Sequence, residues 1–503
     1  MNASRKPRVW FFAGPSLPAR EILGACSTVA ADVRVLPPIQ QGDLLRGMSD
    51  LPDVVGIIDG CFHQVPAVLH KEILLALERG ARVLGAASLG ALRAAELDAF
   101  GMEGIGEIYR LYKDGHLDGD DEVAVVHAGQ EEGYRSATVP LVNIRHNLRL
   151  ATARGLISPR TANLLLSVAQ RVHFTERTYE KVLRAAQART ASADEWTALQ
   201  GFLATKAVDL KRNDALALVR VVAERLRGAK PWPPRVSFRL QKTKYFGILE
   251  RDYAGHFCQG RHVPDKLVLS LQKLLSRAFP DLLRRIALRC LAVDEALHRG
   301  LAVLDDENLR ACFRRSRGLV TDAEYYTWLR RNFLAEPELL AWLRERDLEE
   351  RLRTVYRTNH PQSQTNAAFQ EYLLADVAQR TGLGEQELTG PLFRPPGILW
   401  EEPLIRELKL RGEFGPALEL ACRILDFDAK LFDDNPDLRI TYDALLPHAC
   451  EHLENWVATQ WSIPRQRLED ALRKRGFVRY QEFLEVARLA HAYEKCNSKS
   501  LFG

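Results

Sequence analysis

A serine between small residues stands out in the first hundred residues. The segment Gly85 to Leu97 reads GAASLGALRAAEL, with Ala86 and Gly90 two positions on either side of Ser88. Small residues are required at those positions of a nucleophile elbow, because bulky side chains would collide in so tight a strand-to-helix turn. The turn also places the Ser88 hydroxyl near a helix N-terminus, where free N–H groups stabilise an oxyanion. The pattern predicts a nucleophilic serine, with Leu89 and Gly90 beside it, or alternatively a serine that only caps the helix.

A hydroxyl is a weak nucleophile, so a base must take its proton. The candidates are Lys71 and His70 near the start of the preceding helix, Asp59 after an earlier strand, and His127 after a later one. A lysine acts as a base only when burial or a nearby cation, here Arg93, lowers its pKa. Lys71 is otherwise an ordinary surface lysine.

Purely structural roles also account for the other candidates. His70 has the helical spacing of Leu74 and Leu77, which indicates packing. Asp59-Gly60 taken alone is a turn signal. The sequence by itself leaves the choice of base open.

Alternating strand and helix signals predict an α/β domain with a parallel, Rossmann-like sheet and helices on both faces. In the first half of the chain we expect strands at 8–13, 33–36, 54–58, 82–85 and 122–127, and helices at 19–26, 66–79, 141–171 and 203–227. In a parallel sheet the helix starts and strand ends share one edge, which is where sites form.

Prolines then break the helical pattern at Ala229 to Arg235, and amphipathic helices rich in Leu and Arg follow. We expect an α/β domain over 1–228, a proline-rich linker over 229–235, and an all-α C-terminal region. A polar break at 359–364 suggests a division of that region into 236–358 and 366–503, and a second break at 390–403 suggests further subdivision.

Composition excludes several classes of protein. The formal net charge is +5 over 503 residues, with acidic and basic residues mixed, so no footprint for nucleic acid stands out. No run of about 18 apolar residues suits a membrane helix. The eight cysteines are scattered without metal-ligand spacing, so we expect reduced thiols, no metal, no cofactor and a cytoplasmic protein.

Several motifs together resemble the TfuA-like family. They are GPSLP at 14–18, IIDG at 57–60, HKEIL at 70–74, GAASLGALRAAEL at 85–97, FGMEGIGEIY at 100–109 and VDLKRNDAL at 208–216. The resemblance covers about residues 7–228 and leaves the later helices without a recognised counterpart. Leu89 stands where the family is expected to carry Met.

The resemblance implies a partner of YcaO enzymes in converting peptide amides to thioamides. It implies hydrolysis of the C-terminal thiocarboxylate of a ThiS-like sulfur carrier by a Ser–Lys pair, here Ser88 and Lys71, to supply sulfide, and help for YcaO in holding its precursor peptide or protein. Asp59, Leu89, Gly90 and Arg93 are the expected supporting residues.

Two alternatives remain open. The protein is a non-catalytic scaffold that recruits YcaO and the peptide, or a Rossmann-like nucleotide-binding protein. The second is weakened because GPSLP lacks the G-x-G-x-x-G spacing.

Overall fold

The structure is a computed structural model of the whole chain. It describes residues 6–48, 51–61, 65–186, 193–384, 388, 401–433, 450–497 and 501. These residues form two compact units, 1–253 and 254–503.

A five-stranded parallel sheet with the strand order β2-β1-β3-β4-β5 forms the centre of the first unit. Its strands are β1 (Arg8–Phe12), β2 (Asp32–Leu36), β3 (Val54–Ile57), β4 (Arg82–Gly85) and β5 (Glu103–Gly104). The chain moves outward from β1 to β2 and then crosses back to β3 on the other side of β1. The carboxyl ends of β1 and β3 therefore border a topological switch point, where ligands of open α/β sheets bind.

Helices cover both faces of this sheet, as the near-continuous apolar strands require. They are α1 (Ala19–Cys26), α2 (Asp43–Arg46), α3 (His70–Glu78), α4 (Leu89–Leu97) and α10 (Leu210–Leu226). A further helix, α5 (Glu107–Lys113), packs against α4 and α10. One apolar core contains Phe11, Ile58 and Leu84 with Leu218 of α10. The other contains Ile57 and Val83 with Ile73 of α3. The predicted parallel α/β fold with helices on both faces is confirmed.

Four further helices of the first unit stand between α5 and α10 in the chain: α6 (Leu141–Ala153), α7 (Pro159–Arg171), α8 (Tyr179–Ala186) and α9 (Ala193–Lys206). They share an apolar core that includes Ile144, Leu165 and Phe202. The expected strand at 122–127 is wrong. The Val126 N–H donates to the Thr138 hydroxyl at 2.8 Å, and His127 forms only an isolated bridge with Ser136, so no ladder develops there.

The proline-rich segment and the helix after it, α11 (Lys244–Tyr253), stay with the first unit. Arg82 Nη1 donates to the Pro233 carbonyl at 2.6 Å, and the Leu240 N–H donates to Glu78 Oε1 at 2.7 Å. Residues 229–253 therefore pack along the α/β unit and end it.

The second unit is mostly helical and opens with a hairpin of β6 (Gly255–Cys258) and β7 (Arg261–Pro264). Gln259 and Gly260 both have positive φ, at 51° and 85°, as a two-residue I′ hairpin turn requires. The helices that follow are α12 (Asp265–Leu275), α13 (Phe279–His298), α14 (Asp306–Ser316), α15 (Asp322–Arg331), α16 (Glu336–Asn359), α17 (Asn366–Thr381), α18 (Glu401–Leu410), α19 (Phe414–Asp433), α20 (450–460), α21 (Leu468–Lys474) and α22 (Tyr480–Asn497).

The largest core of this unit joins α12, α13, α18, α19 and α22 through residues such as Leu274, Ile286 and Phe483. Helices thus dominate the C-terminal region as predicted. Among its described residues, the hairpin of β6 and β7 supplies the β-structure. Its division into 236–358 and 366–503 stays a prediction, and most of the break at 390–403 lies outside the described residues.

Replacement of Gly90 by Ala tests the close contact between α4 and β3. A Cβ on Gly90 would lie 1.9 Å from the Ile57 carbonyl oxygen, so either α4 or the strand end must move. We expect a loss of about 3 kcal/mol in the free energy of unfolding, measured by denaturant titration. Gly201→Ala is the control, because nothing lies within 4 Å of its added Cβ in α9, and it should be neutral or stabilising. Equal effects of the two substitutions would contradict the close contact.

Candidate functional site

The turn from β4 into α4 is strained at the residue before Ser88. Ala87 has a φ of 67°, which residues with a Cβ rarely adopt. The Ser88 N–H donates to the Ala86 carbonyl at 2.8 Å, so Ala87 is the central residue of a γ-turn with positive φ, a rare and strained turn. Strain of this kind clusters at functional sites, where the surrounding structure holds it in place.

Small residues let the first turn of α4 lie directly against two strand ends. A Cβ on Gly85 would lie 2.0 Å from the Gly90 carbonyl oxygen, and one on Gly60 would lie 2.2 Å from Cδ2 of Leu89. Leu89 is itself buried, and its side chain fills the space that Gly60 leaves. Close packing thus leaves no room for a side chain at Gly60 and Gly85, in addition to Gly90.

The backbone amides of the turn are unequally engaged. The N–H groups of Ser88 and Gly90 donate to the Ile58 carbonyl at 3.2 and 3.4 Å. The N–H of Leu89 donates no hydrogen bond to any of the described residues. An amide of the residue after the nucleophile is a component of the oxyanion hole in nucleophile elbows. Leu89 therefore supplies the available donor, whereas the amide of Gly90 is already bound.

The Ser88 hydroxyl does not cap its helix. Ser88 occupies the N-cap position of α4, but its side chain makes no cap hydrogen bond. The residue is only 4% exposed. The hydroxyl is therefore not engaged in capping, and reaching it requires a narrow substrate or local opening.

Lys71 lies in the first turn of α3, at the same edge of the sheet. Its Nζ donates to the Gln241 carbonyl at 2.9 Å. No hydrogen bond between Lys71 and Ser88 is found among the described residues. The Ser–Lys pair therefore stays a prediction, and its assembly requires the lysine to leave the Gln241 carbonyl.

Arg93 is held by groups other than Lys71. Its Nη1 donates to Glu96 Oε2 at 2.6 Å and lies 3.4 Å from Nε2 of His70, while its Nε donates to the Val68 carbonyl at 3.3 Å. His70 Nε2 lies 2.8 Å from the same Glu96 oxygen. These contacts connect the start of α3 with α4. They therefore help to position the turn around Ser88, and they do not involve Lys71.

Asp59 holds the loops after β1 and β3 together at the switch point. The buried carboxylate accepts hydrogen bonds from the Gly14 N–H at 2.8 Å, the Ser16 N–H at 3.0 Å and the Ser16 hydroxyl at 2.6 Å. Asp59 directly follows Ile58, whose carbonyl receives the Ser88 amide. The loop after β1 and the elbow are therefore anchored on two consecutive residues.

Lys211 in the first turn of α10 is a second amine at this edge, and it is only 3% exposed. Its Nζ donates to the Val123 carbonyl at 2.8 Å and lies 3.9 Å from Asp59 Oδ1. Burial lowers the pKa of Lys211, while the carboxylates of Asp59 and Asp209 oppose that change. Desolvation of this kind favours the neutral amine, which is the form of lysine that accepts a proton.

A cavity of about 300 Å³ opens beside this cluster. Ser16, Thr138, Tyr179 and Lys211 are among its lining residues. The Thr138 and Tyr179 hydroxyl oxygens accept from the Val126 N–H and the Asn147 amide, so their own protons are left to donate. The cavity thus offers hydroxyl and lysine N–H donors to a ligand rich in acceptors, such as a peptide backbone.

Sequence reasoning missed Ser16 and Lys211. Both lie within motifs that were noticed, GPSLP and VDLKRNDAL, but Lys211 is 152 positions from Asp59 and reaches it only through the packing of α10. His127, another candidate base, has its Nδ1 2.8 Å from the Ala128 carbonyl oxygen.

Two other classes of site are absent from the described residues. No group of three or more His, Cys, Asp or Glu residues in that part of the chain is arranged to hold a metal ion. No described helix is long and apolar enough to cross a membrane.

Residues 59–178 match the family model of TfuA-like proteins. The match contains Asp59, Lys71, Ser88 and Arg93 and ends before Lys211. It confirms the resemblance for this part of the first unit. A search of curated proteins finds no match to the chain.

Replacement of Asp59 by Ala tests the anchor at the switch point. The substitution leaves three buried donors of Gly14 and Ser16 without an acceptor, so we expect a loss of about 3 kcal/mol in the free energy of unfolding. Asp32→Ala is the control, because that carboxylate is about half exposed in a loose ion pair with Arg34, and its loss should cost under about 0.5 kcal/mol. Denaturant titration measures both, and a small effect at Asp59 would contradict the anchoring role.

Glu72 makes the stability of the first unit depend on pH. Burial raises the pKa of Glu72 to about 7 from an ordinary 4.5, against hydrogen bonds from the amides of Gly42 and Leu69. The folded form therefore holds the proton more tightly than the unfolded form. Its contribution is complete below about pH 4.5 and is lost as the pH rises through 7.

We expect wild type to lose up to about 3 kcal/mol from this group between pH 4.5 and 8. Glu72→Gln cannot titrate and should lack that part of the slope. Urea unfolding of both proteins across this range measures the difference. Parallel pH profiles would show that Glu72 does not titrate in the neutral range.

Proposed function

We propose that the chain hydrolyses the C-terminal thiocarboxylate of a ThiS-like sulfur carrier and supplies the sulfide to a YcaO enzyme that thioamidates a peptide or protein. The TfuA-like match at 59–178 supports the pathway. The observation that carries the chemistry is the strained turn at Ala87, which holds Ser88 beside the available amide of Leu89.

In the first step Ser88 Oγ attacks the thioacid carbonyl carbon, and a lysine amine takes the hydroxyl proton. The carbonyl oxygen becomes an oxyanion, which the Leu89 N–H stabilises at the positive end of α4. When the carbon–sulfur bond breaks, the proton passes from the lysine to the sulfur, and hydrosulfide leaves. The carrier remains esterified to Ser88.

In the second step water attacks the ester, and the same amine accepts the water proton. The carbon–oxygen bond to Ser88 breaks, Oγ takes the proton back from the amine, and the carrier leaves as a carboxylate after its own proton passes to solvent. Thiocarboxylate and water are thus converted to carboxylate, hydrosulfide and one proton, without a redox change or a cofactor.

We assign the base role to Lys71, which the family motif implies. Lys211 is the alternative amine, because burial lowers its pKa and it already lies at the switch point beside Asp59. The two assignments differ in geometry: Lys71 must leave the Gln241 carbonyl, whereas Lys211 must extend from the Val123 carbonyl.

We propose that the helical unit after residue 253 helps YcaO hold its substrate.

The cavity beside Ser16 and Lys211 lies in the first unit. It suits a slender peptide tail, because its hydroxyl and lysine N–H donors match backbone carbonyls.

A non-catalytic scaffold is the second candidate function. It is favoured by the low exposure of Ser88, at 4%, and by the bond from Lys71 to the Gln241 carbonyl, which leaves the predicted pair unassembled. In this case the protein raises the affinity of YcaO for its peptide, and sulfide comes from elsewhere.

Sulfide release from a thiocarboxylated carrier tests the catalytic proposal. Ser88→Ala should lower the rate at least about 100-fold, because the covalent route is lost. Ser27→Ala is the matched control, since its exposed hydroxyl bonds only the Gly24 carbonyl in α1, and it should match wild type. An undiminished rate for Ser88→Ala would remove the serine from the mechanism.

The same assay separates the two amines. Lys71→Ala should lower the rate about 100-fold if Lys71 is the base, with Lys211→Met close to wild type once its fold is verified by circular dichroism. The reverse pattern would assign the base to Lys211.

Thioamidation by YcaO with the thiocarboxylated carrier as the sole sulfur source distinguishes hydrolase from scaffold. We expect Ser88→Ala to fail in this reaction and to recover when free sulfide is added. Equal thioamidation by wild type and Ser88→Ala, with the carrier as sulfur source and with free sulfide alike, would favour the scaffold.

A further inference from the structure

An arginine-lined cavity of about 460 Å³ lies in the second unit, between α13, α16 and the start of α17. Four arginines contribute to its wall: Arg289, Arg346, Arg353 and Arg357. All the residues that line it belong to the described part of the chain. It is separate from the switch point, which belongs to the first unit.

The charges of this cavity do not balance. Glu349 and Glu350 are its acidic lining residues, against four arginines. Glu349 is shared between Arg289 and Arg353, at 3.3 and 2.7 Å, and Arg289 is also bound by Glu407 at 2.8 Å. Glu350 pairs with Arg357 at 2.9 Å through one guanidinium nitrogen. The lining carries two more positive than negative groups.

The arginines keep donors for a ligand. Arg346 is exposed, and its guanidinium carbon lies over the face of Trp342, 5.3 Å from the ring centre. Its guanidinium N–H groups are therefore available. Arg357 uses only Nη1 on Glu350, which leaves Nε and Nη2. Guanidinium groups with free edges bind oxyanions through paired hydrogen bonds.

The start of α17 adds a second kind of donor to the same wall. Thr365 is its N-cap, and the Thr365 hydroxyl oxygen takes the N–H of Ala368. Within the described part of the chain, the N–H groups of Asn366 and Ala367 donate no hydrogen bond. Amides at the N-terminus of a 16-residue helix favour an anion. They supplement the arginines, which carry the greater part of the charge.

Aromatic faces in the cavity are already covered. Arg353 lies 4.3 Å from the centre of the Phe369 ring, and Tyr356 stacks on His360 with ring centres 4.7 Å apart. No open aromatic face remains at these two rings for a nucleobase. Recognition would therefore fall on the anionic group itself.

We propose that this cavity binds a phosphorylated small molecule through its phosphate oxygens. A phosphate offers more acceptor oxygens than a carboxylate, which suits a wall where two arginines and a helix N-terminus present donors together. Arg346 and Arg357 provide the principal contacts. Arg289 and Arg353 are held by Glu349 and shape the cavity. This site does not depend on the proposed hydrolase activity.

Calorimetric titration of the full-length protein with inorganic pyrophosphate tests the proposal. We expect saturable binding by wild type that weakens as salt is added, because screening acts on exposed charges. The double variant R346Q and R357Q should bind at least about tenfold more weakly. The control is the double variant R315Q and R473Q, which removes the same charge from exposed arginines outside the cavity and should bind like wild type.

Titration with a hexaglutamate peptide provides the second arm. Tight pyrophosphate binding with little affinity for hexaglutamate supports a phosphate site. Binding of hexaglutamate but not pyrophosphate would overturn the proposal, as would equal pyrophosphate affinity for wild type and R346Q/R357Q. Unchanged circular dichroism of each variant ensures that lost binding reflects the site.

Discussion

The contact between the first turn of α4 and the end of β3 is the constraint on which the rest of the first unit depends. Gly90 lies so close to the Ile57 carbonyl that it has no room for a side chain, and the amides of Ser88 and Gly90 share the Ile58 carbonyl. The chain makes this approach through a tight turn in which Ala87 adopts a positive φ of 67°. The strained Ala87, the buried Ser88 and the available amide of Leu89 all lie in the stretch that this packing holds.

The same stretch of chain extends the constraint to the switch point. Asp59 follows Ile58 and anchors the loop after β1 through Gly14 and Ser16, while Lys211 of α10 lies beside its carboxylate. The backbone carbonyl of one residue thus positions the candidate nucleophile, and the side chain of the next positions the neighbouring cavity wall. This coupling gives a physical reason for the close grouping of the IIDG and GAASLGALRAAEL motifs at one edge of the sheet.

Much of this arrangement could be predicted from the sequence, because it is local. The small residues around Ser88 reflect steric demands within five positions, and the strand at 82–85 and the helix at 19–26 have the predicted bounds. The strand expected at 122–127 was wrong because the Val126 N–H donates to the Thr138 hydroxyl and the Val123 carbonyl accepts from Lys211, so these backbone groups do not join a ladder. An apolar run in the sequence does not reveal such contacts. The division between the units also depends on contacts, since residues 229–253 pack along α3 and β4.

Contacts between distant parts of the chain were beyond sequence reasoning. Lys71 meets the Gln241 carbonyl 170 positions away, and Lys211 reaches Asp59 across 152 positions. Neither contact leaves a periodic or compositional signal. The arginine cavity of the second unit could not be predicted either, because the mixed charges on α13 and α16 are typical of ordinary solvent-exposed helix faces. The packing of the helices determines which arginines line the same cavity.

The central claim is that Ser88 becomes covalently attached to the carrier during turnover. Mass spectrometry of the protein after rapid acid quenching, during reaction with a thiocarboxylated carrier, tests this most directly. The account predicts an ester-linked carrier on the peptide that contains Ser88, absent from Ser88→Ala. Sulfide release with the carrier attached to a residue other than Ser88 would contradict the account. So would sulfide release without any attached carrier in a variant that hydrolyses the ester slowly.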